Sequence, residues 1–301
     1  MTAVAEEFEA QRSHLFGLAY RLLGSATEAE DAVQDAYLRL HNADRAAIAS
    51  LPAWLTKVVT NLCLNRLTSA RARREVYVGP WLPEPVLTDH GALGPLDTVE
   101  QRESVSIALL TLMEQLGPAE RAAFVLREAF GYSHRDIAEM LGTSEANARQ
   151  LHRRAHQRLG RPAPRFQPDP ARWRTTVDRF FTATRSGDVA TLVTMLTSDV
   201  TSTADGGGKV SAARRPVTGR DRVSRYVAGA FGRPSVPSIR LDVAEVNGEP
   251  ALLGFVEATL AGVLFFEVDD GRIAALRIVA NPDKLRFVAA QLSQTTGRSG
   301  S

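Results

Sequence analysis

Apolar residues return at helical spacing along most of the chain up to Leu159. Val33, Ala36, Tyr37 and Leu40 fall at i, i+3, i+4 and i+7, which predicts one buried stripe. Thr27 and Glu30 ahead of them have the S/T-x-x-E form of a capping box, so the helix is expected to start there. From Pro52 to about Arg71, Trp54, Leu55, Val58, Val59, Leu62 and Leu67 supply the apolar face of the next helices. Ser133 and Asp136 open another helix that buries Ile137, Ala138, Met140 and Leu141, and Gly142 is placed to end it in the left-handed conformation. Thr143 or Ser144 can cap the following helix, on which Leu151, Ala155 and Leu159 share one narrow arc.

Past Val200 the period changes. Strands are predicted near Val200–Ala204, Ile239–Val246, Ala251–Ala258, Val263–Asp269 and Ile273–Val279. Helices are predicted near Trp173–Ser186, Val189–Leu196 and Asp221–Phe231. Two proline-rich stretches interrupt these patterns, because proline removes a backbone donor and restricts the residue before it. The chain therefore divides into helical residues 1–76, a linker at 77–102, helical residues 103–160, a linker at 161–171, and an α+β unit at 172–301. Helices on a curved, mostly antiparallel sheet would leave that last unit with a concave pocket at one end.

Composition adds limits. With 44% hydrophobic and 23% charged residues the chain has a folded, globular profile, and a net charge of +2 means that affinity for nucleic acid must come from local clusters. A single cysteine, Cys63, rules out an internal disulfide framework and a cysteine-rich zinc site. No apolar run reaches the roughly 18 residues of a membrane span. The opening MTAVAEEFEAQ is acidic where a signal segment would be basic, so no membrane association and a cytoplasmic protein are expected.

Chemistry sits on the polar faces. Asp31, Gln34 and Asp35 form a compact acidic surface beside the Val33 stripe, which on an anonymous helix would be a solvated face. Lys57, Asn61, Asn65, Arg66 and Arg71 line the next segment with donors for phosphates or bases. Asn61 has a second reading as a helix-end or cap residue. Arg149, Gln150, Arg153, Arg154, Gln157 and Arg158 spread over the half-cylinder opposite Leu151, Ala155 and Leu159. Arginine can read guanine bidentately and glutamine can pair with adenine, so a helix, a GTS turn and a one-sided donor row in series describe a DNA-binding helix-turn-helix.

AEDAVQDAYLRL at Ala29 to Leu40, the Asn61 segment and the helix-turn-helix, in this order, resemble regions two and four of an extracytoplasmic-function sigma factor. Three further words, WLPEP (Trp81, Leu82, Pro83, Glu84, Pro85), DGGGK (Asp205, Gly206, Gly207, Gly208, Lys209) and NPDKL (Asn281, Pro282, Asp283, Lys284, Leu285), are similar to a subgroup with a fused C-terminal domain of the SnoaL-like branch of the NTF2-like fold. The resemblance implies two all-α sigma domains followed by an α+β cone. It implies core RNA polymerase binding by the Asp31 face, and reading of the minus-ten element by the Lys57 to Arg71 segment, with Asn61 at a flipped base. It further implies reading of the minus-thirty-five element by the arginine row, and regulation in cis through the three words. RNA polymerase core enzyme and promoter DNA are the implied partners.

Two alternatives compete: a helix-turn-helix regulator with a ligand-binding domain, and a SnoaL-like enzyme tethered to DNA. All six histidines precede the second linker, so no His/Asp pair can form within the last unit. Asp205, Asp242, Glu245, Glu257 and Glu267 remain there without a spacing that singles out a pair. No catalytic residue, metal ligand or cofactor is expected, and a small-molecule ligand of the C-terminal pocket is left open. DGGGK lacks the phosphate-loop spacing and reads as a flexible hairpin or an interdomain contact, while Asn281-Pro282 reads as an N-cap followed by proline at the first helical position.

Overall fold

The structure, a computed structural model, describes residues 3–88, 91–94, 96, 98–160, 170–231 and 239–298; residues 161–169 of the second proline-rich linker lie outside them. The chain folds as two compact units, one of residues 1–76 and 83–161, the other of residues 77–82 and 162–301. Residues 77–82, expected as part of a linker that carries WLPEP, therefore belong with the C-terminal sheet, and residues 83–102 with the helices.

In the first unit, α1 (Ala3–Glu9), α2 (Arg12–Leu23), α3 (Ala26–His41) and α4 (Leu51–Glu75) pack together. Leu15, Leu18, Leu22, Val33, Ala36, Leu40, Leu55 and Val59 are buried between them, as the apolar stripes require. The cap of α3 differs from expectation. Ser25 accepts from the Glu28 amide, and Thr27 is instead held through its amide and hydroxyl by the carboxylate of Glu84. Ser25 and Glu28 have the same spacing as Thr27 and Glu30, so two registers were open, and the Ser25 hydroxyl also donates to Glu84 at 2.7 Å. Likewise α4 is one continuous helix and not two, so Asn61 lies mid-helix and its cap reading falls. Cys63 is buried in the same helix, where desolvation pushes its thiol up to about 12.

The rest of this unit comprises α5 (Val99–Glu103), α6 (Ile107–Leu112), α7 (Pro118–Glu128), α8 (His134–Leu141) and α9 (Glu145–Leu159). Ser133 and Asp136 form the expected capping box of α8, Gly142 is left-handed at φ 62°, and Ser144 caps α9. Helices α7 and α8 also pack on α4, and α7 on α2. Two buried arginines lie there. Arg21 donates to Ser104 Oγ and to the carbonyls of Gly17 and Leu93, and Arg121 pairs with Glu114 at 2.5 Å. Burial lowers the two guanidinium pKa values to about 10 and about 9, so both remain charged at neutral pH.

The second unit has α10 (Pro170–Ser186), α11 (Val189–Met195), β1 (Leu196–Asp205), β2 (Val217–Thr218), α12 (Arg220–Phe231), β3 (Ile239–Val246), β4 (Glu249–Val256), β5 (Thr259–Asp269), β6 (Arg272–Val279) and α13 (Pro282–Arg298). Its sheet runs β2-β1-β6-β5-β4-β3, with β1 and β6 parallel and every other pair antiparallel. Trp173, Phe180, Phe181 and Phe266 meet in edge-on contacts over the sheet and head its core. The run ALLGFVEATL, expected as a strand to Ala258, turns earlier. Glu257 adopts a positive φ of 54° without a glycine to announce the hairpin, and β5 already begins at Thr259.

Candidate nucleic-acid interface and linker anchor

The capped helix α3 carries Asp31, Gln34 and Asp35 on the side away from its buried stripe. Asp31 and Gln34 are exposed and Asp35 is half-buried. The carboxylates are not free. Arg66 of α4 reaches Asp35 at 2.5 Å, lies 3.9 Å from Asp31 and donates to the Glu28 carbonyl. A residue expected among the DNA donors thus also serves the acidic face. Lys57 and Asn65 are exposed on α4 and Asn61 is half-buried there, while the side chain of Arg71 lies outside the described residues.

On α9 the separation of faces is clean. Ala148, Ala155 and Leu159 are buried, and Arg149, Gln150, Arg153, Arg154, Gln157 and Arg158 are all exposed. Two members of the row have local acids, Arg149 with Glu145 and Arg158 with Glu120 at 2.5 Å. The Arg149 pair lies on an open surface, contributes little and can exchange for a phosphate, whereas the Arg158 pair involves a buried carboxylate. His152 and His156 lie at the border between the two faces. Both rings approach one carboxylate oxygen, Glu128 Oε1, at 2.8 and 3.3 Å. The sequence offered a signal for this cluster in the His-x3-His spacing on one helix, which the arginine row around it obscured.

In the second unit, residues 77–82 dock against the other two words. Asp205, at the end of β1, is fully buried. Its carboxylate accepts from the Tyr77 hydroxyl at 2.6 Å, the Leu82 amide at 2.8 Å, the Gly207 amide at 3.1 Å and Lys284 Nζ at 2.7 Å. Lys284 is 8% exposed, lies over the rings of Trp81 and Tyr77 at 4.1 and 4.8 Å, and also donates to the Leu82 carbonyl. Asn281 caps α13 through Oδ1 and donates through Nδ2 to the Tyr77 hydroxyl at 2.8 Å, so its expected cap role holds and a second is added. Burial and the neighbouring Asp205 carboxylate hold the Tyr77 phenol well above its ordinary pKa, as a neutral donor.

DGGGK is accordingly a packed turn and not a flexible hairpin. Gly207 has φ 58°, and a Cβ there would stand 2.2 Å from Asn281 Nδ2. Lys209 closes the turn on half-buried Asp283, whereas Leu285 is buried in α13. The remaining residues of WLPEP, Pro83 to Pro85, belong to the first unit, where Glu84 holds Ser25 and Thr27. Tyr77 is the anchor residue that sequence reasoning missed, because nothing in a linker marks one tyrosine as a docked donor.

A cavity of about 330 Å³ opens in the second unit among Phe181, Tyr226, Leu241, Leu264, Ser211 and Arg185. None of the five carboxylates considered as acid or base lines it. Asp205 is in the anchor, Asp242 pairs with Arg240, and Glu267 pairs with Arg277 at 2.8 Å. Among the described residues no helix is long and apolar enough to cross a membrane.

Comparison with known proteins matches both units to known families. Residues 8–73 match the Sigma-70 region 2 family, residues 106–159 the Sigma-70 region 4 family and residues 177–276 the SnoaL-like domain family. The chain is 43% identical to the ECF RNA polymerase sigma factor SigJ of Mycobacterium tuberculosis, over 97% of each chain. It is 32% identical to SigI of the same organism, named as a sigma factor of the same kind, over 96% of this chain and 97% of that one. The crystal structure of M. tuberculosis SigJ superposes with a TM-score of 0.71 at 38% identity, covering 93% of this chain and 98% of that one.

Proposed function

The chain belongs to the extracytoplasmic-function RNA polymerase sigma factors, transcription initiation factors and not enzymes, and we propose which of its surfaces carry that work. Asp31, Gln34 and Asp35 dock on the polymerase core. Lys57, Asn61, Asn65, Arg66 and Arg71 serve the minus-ten element, with the Asn61 amide, a donor and an acceptor at once, taking the edge of an extruded base. Arg149, Gln150, Arg153, Arg154, Gln157 and Arg158 serve the minus-thirty-five element. The observation that carries the assignment is the one-sided α9, with all six donors exposed opposite a face closed by Ala148, Ala155 and Leu159.

The domain division proposed from the sequence, with region two at 1–76, region four at 103–160 and the regulatory unit at 172–301, gives the first unit a further meaning. Thr56 of α4 lies 3.3 Å from the Tyr132 hydroxyl just before α8, so the two readers are packed together. Promoter elements about 25 base pairs apart are separated by about 85 Å of duplex at 3.4 Å per base pair. Reading both at once requires region four to leave region two. We assign the anchor of residues 77–82 the role of setting that opening in cis, since it fixes the chain directly after α4.

The protein is proposed to act in the cytoplasm, and the experiment is reconstituted run-off transcription with core polymerase. Asp31→Asn with Asp35→Asn removes the acidic face without crowding Arg66 with new cations, and should reduce holoenzyme formation and transcripts together. Unchanged holoenzyme formation at physiological salt removes the docking assignment. The apolar cavity with Arg185 at its lining supports a second reading, a small amphipathic anion as ligand of the C-terminal unit; thermal shift with medium-chain carboxylates tests it, and no shift in any of them rejects it.

A further inference from the structure

From the convergence of Glu128, His152 and His156, we propose a divalent-cation site on the helix-turn-helix, of the class taken by Zn²⁺. Two histidines one turn apart on α9 present their Nε2 atoms to the same side, and Glu128, the last residue of α7, faces them. The three ligand atoms lie within 4.8 Å of one another, with the His152 and His156 nitrogens 2.8 and 3.3 Å from Glu128 Oε1. An ion about 2 Å from each of three tetrahedral donors separates them by about 3.3 Å, so small side-chain rotations are enough to admit it. Two imidazoles and a carboxylate are a donor set suited to zinc and its borderline neighbours, and poorly suited to magnesium or calcium, which select oxygen.

The surroundings are built in the way ligand shells are. His134, the first residue of α8, sets its Nε2 3.4 Å from His152 Nδ1, the contact that would orient the ring and fix its tautomer. Phe124 backs the other side, its ring centre 5.3 Å from that of His156 and 6.5 Å from that of His152. The C-terminal carbonyls of α7 favour a cation at this end of the helix. A bound ion would pin α9 to α7 and add positive charge beside Arg149 and Arg153, neighbours of the two histidines on the helix surface. It would stiffen the element that carries the donor row.

The test uses the full chain, freed of metal with a chelator and titrated with Co²⁺ as a spectroscopic stand-in for Zn²⁺. One equivalent should bind with the visible ligand-field bands of a low-coordinate site, and Zn²⁺ should displace it. Glu128→Gln and the double variant His152→Gln with His156→Gln should abolish those bands, His134→Ala should weaken binding by about tenfold, and His41→Ala should leave it unchanged. Circular dichroism checks the fold of each variant. Should the double variant lose helix, Glu128→Gln decides, because Glu128 is exposed and its replacement isosteric. Zn²⁺ should also raise the thermal midpoint of the unaltered chain and not that of Glu128→Gln. No uptake at millimolar Co²⁺, or uptake unaltered by Glu128→Gln, overturns the proposal and leaves the cluster a hydrogen-bonded staple between two helices.

Discussion

The cations of α9 and the cation of the linker anchor are used in opposite ways. Arg153 and Arg154 stand in solvent on one face of a helix, while Lys284 sits under two aromatic rings with its charge matched by a fully buried carboxylate. The exposed row adds little to folding and keeps its hydrogen-bonding capacity for a partner. The buried pair has spent that capacity inside its own unit, and removing either member strands the other away from water. Charge is left open to solvent in the first case and is consumed by a contact already made in the second.

The strongest way to break the contrast is Lys284→Ala. Burial of the Asp205 charge without its counter-ion should lower the unfolding free energy of the C-terminal unit by up to about 3–5 kcal/mol, read from denaturant unfolding of the full chain. A loss of less than about 1 kcal/mol would mean that the pair behaves like a surface contact and that residues 77–82 are not held by it. Arg153→Ala should do the reverse, costing roughly 1–3 kcal/mol in promoter binding by holoenzyme when the side chain reads a base. Its folding stability should stay within about 0.5 kcal/mol of the parent. Fluorescence anisotropy over a set of minus-thirty-five variants separates the roles, since an equal loss on every variant makes Arg153 a phosphate contact.

The contrast also explains what was legible. The α9 row, the buried stripe of α3, the capping box of α8 and most strand positions follow from periodicity, which depends only on near neighbours. The anchor depends on partners far apart in the chain, Tyr77 with Asp205 and Asn281, Lys284 with Leu82, and no local rule joins them. The three words could be placed by resemblance, but not the tyrosine that ties them. The start of α3 likewise involves a distant partner, since Glu84, 57 residues from Thr27, binds both Ser25 and Thr27. Ile239–Val246 is legible to the residue because IRLDV alternates and the Asn247-Gly248 turn pair ends the run, whereas the Glu257 turn is not, since its positive φ occurs at a residue that seldom adopts one.

A smaller effect sharpens the comparison from the side of buried groups that titrate. His14, half-buried against Phe130, is held below the ordinary imidazole value of 6.5 by burial and by the Arg21 guanidinium. The unfolded chain thus binds this proton more readily than the folded one. The resulting stability is full above pH 6.5 and lost as pH falls through the lower folded value. His14→Gln should flatten that part of the stability profile relative to the parent, and identical profiles would show that His14 is solvated.

Arg66 brings the two uses of charge together in one side chain. Its guanidinium is held by Asp35 and the Glu28 carbonyl, yet it belongs to the segment assigned to promoter DNA. Under the proposed assignments, a basic surface that engages Asp35 weakens that hold, and a phosphate that engages Arg66 leaves Asp35 more available. Thermodynamic reciprocity makes the two affinities raise one another by the same factor. On those assignments, loading on the enzyme and binding of promoter DNA are coupled through this one side chain.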